Sequence, residues 1–177
     1  MSEPTRSGTG GVADLYWEDL TPGRQFDLGL TVIDRSEMVA FAERFDPQWY
    51  HADEKLAQAS PYGDLIASGF FTVSLFMRAY VDHLLARAAA DASPGLEELR
   101  WLDPVYAGDR LATTLLVVDQ APSRAKPACG TVTLRGTMTR VASATGPVDP
   151  PVPVLRTQFR GWFHRRDERH AGGHRSG

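Results

Sequence analysis

Asp46 and His51 stand five positions apart in the stretch Phe45-Asp46-Pro47-Gln48-Trp49-Tyr50-His51-Ala52-Asp53. A carboxylate and a neutral imidazole gripping one water molecule can move protons at neutral pH. Fully extended, the chain between them could hold them about 17 Å apart. Pro47 bends the path, so the two side chains can instead converge. Spacing alone leaves a plainer reading open: Asp46 ends a helix, and His51 hydrogen-bonds the start of the next. A second stretch, Ile66-Ala67-Ser68-Gly69-Phe70-Phe71-Thr72, leads into a long apolar run. The first amides of a helix lack internal partners and carry partial positive charge. A carbonyl placed there would be polarised, and an enolate forming there would be stabilised. Gly69 would let a ligand approach the backbone closely.

The elements that must position these groups can be read from the same chain. Phe26 to Ile33 reads as a strand. Asp34, with Glu37 three residues on, has the form of a capping box opening a short helix, about Ser36 to Phe45. Met38, Phe41, Ala42 and Phe45 would be its buried face. Pro47 stops it near Asp46. Gln48 to Ala52 reads as a loop, and Asp53 to Ala59 as a second short helix. The long helix is expected over about Gly69 to Ala90. Its first half is apolar nearly all round, so it should be buried on most sides. Arg78 and Asp82 form an i,i+4 pair on its exposed side. Leu96–Leu102, Arg110–Gln120, Gly130–Ala144 and Val154–His164 read as strands. The last places Leu155, Thr157, Phe159, Gly161 and Phe163 on one face. Gly146–Pro153 reads as a proline-rich loop. Such alternation implies antiparallel strands with one covered face. A sheet curled around one central helix satisfies this order economically.

The 177 residues suit one domain, 14–164, between a polar arm, 1–13, and a polar tail, 165–177. With Lys+Arg 19 against Asp+Glu 22, the charge of -3 gives no footprint of a nucleic-acid binder. No stretch reads as membrane-spanning or as a signal peptide, so a cytoplasmic protein is expected. The single cysteine, Cys129, excludes an internal disulfide and argues against a Cys-rich zinc site. It reads as a small residue at a strand start, and His164 as the end of the last strand. His170 and His174 have helical metal spacing but lie in the tail, and no metal site is expected. There is no glycine-rich phosphate loop and no G-x-S-x-G elbow.

Phe45 to Met77 resembles the MaoC-like dehydratases, which include the (R)-specific enoyl-CoA hydratases. The likeness extends upstream through Tyr16-Trp17-Glu18-Asp19-Leu20 and downstream through Glu98–Val105 and Gly108-Asp109. It covers about Tyr16 to His164. The resemblance implies an α+β hot-dog fold, with an antiparallel sheet around one long helix and a short-helix overhang. The family's motif has the form D-x-N-P-x-H, and its catalytic pair falls on Asp46 and His51. Gln48 and Trp49 replace the usual Asn and Pro, and Ser68 replaces a usual His before Gly69. The implied reaction is reversible hydration of a 2-enoyl thioester of coenzyme A or a carrier protein, without a separate cofactor. Ser68 and Gly69 would orient the carbonyl. Trp49, Tyr50, Phe70, Phe71 and Phe76 are candidates for the acyl pocket wall, the three Phe residues also readable as plain core. Arg100, Arg124 and Lys126 are candidates for the phosphates of coenzyme A. A homodimer joined edge to edge, or a dimer of dimers, is implied. Two alternatives stand beside it. One is a hot-dog thioesterase, for which Asp64 or Asp82 would supply the carboxylate. The other is a non-catalytic subunit that binds acyl thioesters.

Overall fold

A computed structural model describes residues 13–166. The expected arm and tail therefore lie outside the described residues, apart from Ala13, Arg165 and Arg166.

Strand β1 (Gln25–Val32) opens the sheet, and α1 (Arg35–Phe45) follows it. The start of α1 is fixed by Asp34, whose carboxylate accepts from the Glu37 amide at 2.9 Å and from the Ser36 hydroxyl. Two short helices come next, α2 (Trp49–Ala52) and α3 (Glu54–Gln58), the latter capped by Asp53. Helix α4 (Gly69–His83) is the long one. Strands β2 (Gly95–Trp101), β3 (Arg110–Pro122), β4 (Cys129–Ser143) and β5 (Gly146–His164) complete one antiparallel sheet in the order β1-β3-β4-β5-β2.

The period-two pattern puts Leu111, Leu115 and Val117 of β3 on one face with Val132, Leu134 and Met138 of β4. Leu155, Phe159 and Phe163 of β5 join them in a single buried core. Phe71, Phe76 and Tyr80 of α4 belong to the same core. Burying each such side chain contributes about 1.5–3 kcal/mol. Gly136 lets helix and sheet come this close, since a Cβ there would overlap the Phe76 ring. The three short helices form the overhang at the N-terminal end of α4, with the Phe41 and Phe71 rings 5.6 Å apart. This is the expected α+β hot-dog architecture. No helix among the described residues is long and apolar enough to cross a membrane.

Four local expectations are corrected. Gln48–Ala52 is not a loop: the Gln48 carbonyl accepts from the amides of His51 and Ala52, closing the single turn of α2. Phe45 is 62% exposed rather than buried, because its ring rests on Phe41 at the rim of the overhang. The long helix ends at His83, not Ala90. A 3-10 turn (Leu85–Arg87) follows, and the alanines beyond it pair their backbone with Leu15 and Phe163. Those bridges outweigh the helical preference of alanine. The proline-rich stretch 146–153 belongs to β5, where the register slips twice against β4 and prolines are tolerated.

Candidate active site

The turn of α2 decides where His51 goes. Reversing the chain just after Asp46 brings the imidazole back towards the carboxylate, with Nε2 3.4 Å from Asp46 Oδ2. The His51 side chain is 7% exposed and that of Asp46 28%, so the pair sits at the floor of an opening. The other ring nitrogen, Nδ1, lies 2.8 Å from the Ile66 carbonyl. A carbonyl only accepts, so Nδ1 carries a proton, and in the neutral form of the ring Nε2 presents a lone pair. Two acceptors therefore face each other across 3.4 Å. A water molecule placed beside the pair, within hydrogen-bond reach of both atoms, can donate one proton to each.

Ser68 occupies the position just before α4 but does not cap it. Its fully buried hydroxyl donates instead to Asp46 Oδ2 at 2.8 Å. This corrects the expectation that Ser68 orients a substrate carbonyl: its proton is committed to the carboxylate. With the hydroxyl turned away, no side chain caps the first amides of α4, and Gly69 and Phe70 form part of the wall of the opening. Gly69 is required there, because the Trp101 indole of β2 lies where a Cβ would stand.

One extended segment holds both halves of the pair. Ile66 donates its amide to the Tyr50 carbonyl and accepts from His51, and two residues on Ser68 grips Asp46. That segment is fixed to the 103–106 turn by the Ile66–Tyr106 bridge and by the Ala67 amide on the Val105 carbonyl at 2.8 Å. Arg140 of β4 locks the turn in place. Its Nε meets buried Asp109 at 2.8 Å, its Nη1 meets Asp103 at 2.8 Å, and its Nη2 meets the Pro104 carbonyl.

Together these elements enclose a cavity of about 460 Å³ lined by Asp46, His51, Tyr50, Gly69, Phe70 and Trp101, among others. Of the five aromatic residues expected in its wall, Tyr50 and Phe70 are there. Trp49 is 43% exposed and stands edge-on to Tyr50 outside the cavity, while Phe71 is core. Phe76 lines a second, apolar cavity of about 310 Å³ together with Val73, Met77 and Leu99. It begins one helical turn beyond Gly69 on α4. Trp101, Tyr62 and the Ile66 carbonyl were not anticipated. The carbonyl leaves no mark in a sequence, and the Gly69–Trp101 contact joins residues on separate elements.

Other candidates are occupied elsewhere. Asp64 faces Arg35 at 3.4 Å and Asp82 faces Arg78 at 2.6 Å, and neither lines the cavity beside His51. Arg100 lies 3.6 Å from Glu98, and the Lys126 ammonium is paired with Asp91. Arg124 is exposed.

The chain and its fold are similar to those of known proteins. A family model described as a MaoC-like domain matches residues 19–139. The crystal structure of a MaoC-like dehydratase from Rhodospirillum rubrum superposes with a TM-score of 0.73 at 33% identity, covering 86% of this chain and 99% of that one. The 3-hydroxyacyl-thioester dehydratase Z of Mycobacterium tuberculosis is 34% identical over 49% of this chain and 58% of its own length. The protein YdeM of Bacillus subtilis is 27% identical over 60% of this chain and 76% of its own length.

Proposed function

The chain belongs to the MaoC-like family of hydratases and dehydratases, and from that premise we propose that it adds water reversibly to a 2-enoyl thioester, giving the (R)-3-hydroxyacyl thioester. The observation that carries the reading is the pair of facing acceptors, Asp46 Oδ2 and His51 Nε2, 3.4 Å apart beside the start of α4.

Asp46 takes one proton of the bridging water as the water oxygen bonds C3 of the enoyl group. Electron density moves to the thioester oxygen, where the Gly69 amide at the positive end of α4 stabilises the enolate. The proton then passes by way of His51 Nε2 to C2. Because one water supplies both groups, they arrive on the same face of the alkene. The Ser68 bond keeps Asp46 aimed, and the Ile66 carbonyl keeps His51 in the tautomer that accepts. No step needs a further cofactor.

The apolar cavity beside Val73, Met77 and Leu99 suits the acyl tail of such a thioester. Strand β2 is an edge strand that exposes Leu96 and Trp101, with Leu102 just beyond it. An unpaired edge carrying apolar side chains fits pairing with a second copy.

The test is a panel of trans-2-enoyl-CoA substrates of increasing length, followed by loss of the enoyl absorbance and, in parallel, by release of free thiol. Hydration without thiol release supports the reading. Thiol release would assign a thioesterase instead. Binding of every substrate without turnover would assign a non-catalytic subunit.

A further inference from the structure

Away from this site, three ligand-type side chains meet at the far end of the sheet. Cys129 opens β4 and His164 closes β5, and the two are direct cross-strand partners. Their chain neighbours Gly130 and Phe163 are buried, and Phe163 belongs to the core under α4. By strand alternation, Cys129 and His164 therefore project from the sheet's other face. The Asp91 amide donates to the Trp162 carbonyl at 2.8 Å, which brings the Asp91 carboxylate to the same place. One atom from each of the three, a carboxylate oxygen, the Cys129 sulfur and a His164 nitrogen, lies within 4.8 Å of the other two.

We propose that Asp91, Cys129 and His164 form a binding site for a divalent cation of borderline softness, Zn²⁺ being the match. Zinc bonds of about 2.3 Å to sulfur and about 2.0 Å to nitrogen, at a tetrahedral angle, set the two donors about 3.5 Å apart. Cys129 Sγ and His164 Nδ1 are 3.7 Å apart. The ion fits between them without movement of either strand. Asp91, on a more exposed segment, completes a third bond by a small side-chain shift. Thiolate, imidazole and carboxylate together favour zinc over calcium or magnesium, which take oxygen ligands. As the metal–sulfur bond forms, the thiol proton leaves to solvent.

Lys126 shows the same preference for positive charge. Its ammonium is paired with Asp91 and held 4.6 Å over the Trp162 ring. It neutralises the carboxylate when no ion is bound, and it must give way when one binds. Removing that ammonium should therefore tighten metal binding, which a merely structural ion pair would not do.

The experiment is a Co²⁺ titration of the full chain, read by absorbance, with Zn²⁺ as competitor. The expected result is one tetrahedral Co²⁺ per chain with a thiolate-to-cobalt charge-transfer band, displaced by one equivalent of Zn²⁺. Cys129→Ser should abolish the band. His164→Gln should weaken Co²⁺ binding by about tenfold or more. Lys126→Met, which removes the competing ammonium but keeps the backbone bond to the Cys129 amide, should strengthen it. No charge-transfer band in the folded wild type overturns the proposal. So does cobalt binding without that band, which would place the ion on other groups such as His170 and His174. A band untouched by His164→Gln, or weaker binding in Lys126→Met, overturns it as well.

Discussion

Two polar clusters are tied to the Ile66–Ser68 segment, and they differ in how completely they are satisfied. Around Arg140, all three guanidinium nitrogens find acceptors, and Asp109 also accepts from the Tyr106 amide. Both carboxylates share the one guanidinium, and the cluster can do little except hold the 103–109 turn still. Around Asp46 and His51 the outer bonds are made, to Ser68 and to Ile66, but the inner faces present acceptor to acceptor. A finished network gives rigidity. An unfinished one, held rigid by its neighbours, gives a place where a proton can be taken and returned.

Substitutions in the two clusters should therefore fail in different ways. Asp46→Asn or His51→Ala should lower turnover by about 10²–10⁴-fold, the range for a positioned acid or base, while thermal unfolding of Asp46→Asn stays near wild type. If either variant turned over at the wild-type rate, the assigned roles would be wrong. Arg140→Met should do the reverse in its first effect: removing one partner of a buried pair costs about 3–5 kcal/mol of stability, measurable by urea unfolding. Ser68→Ala lies between the clusters. It should cost about tenfold in kcat, roughly 1.4 kcal/mol, with KM little changed, because Asp46 keeps its charge but loses its aim. A rise in KM alone would instead make Ser68 a substrate contact. At the small end, Arg78→Ala removes an exposed i,i+4 pair and should leave the unfolding midpoint where it was.

The same contrast explains what the sequence allowed to be read. Alternation in β3, β4 and β5 is long enough to set which face is buried, so Leu111, Val132 and Phe159 are all found where their pattern puts them. The Asp34 cap and the start of α4 at Gly69 are signalled by single residues acting locally. The five-residue spacing of Asp46 and His51 is also visible, but the turn that makes them converge is not. Four residues are too few for periodicity, and the turn is closed by the Gln48 carbonyl. The end of α4 was hidden for a related reason. Ala88 and Ala90 favour helix locally, and only their bridges to Leu15 and Phe163 draw them out of it. Trp101 over Gly69, and Arg140 behind the 103–106 turn, are contacts between elements far apart in the chain. Nothing in either local sequence announces them.

The central claim is that Asp46 and His51 share one water. An atomic-resolution crystal structure of the protein tests it most directly. A single water within about 3.2 Å of both Asp46 Oδ2 and His51 Nε2, with Nδ1 still on the Ile66 carbonyl, is the predicted result. A flipped imidazole, or a direct carboxylate–imidazole hydrogen bond with no water between them, would contradict it.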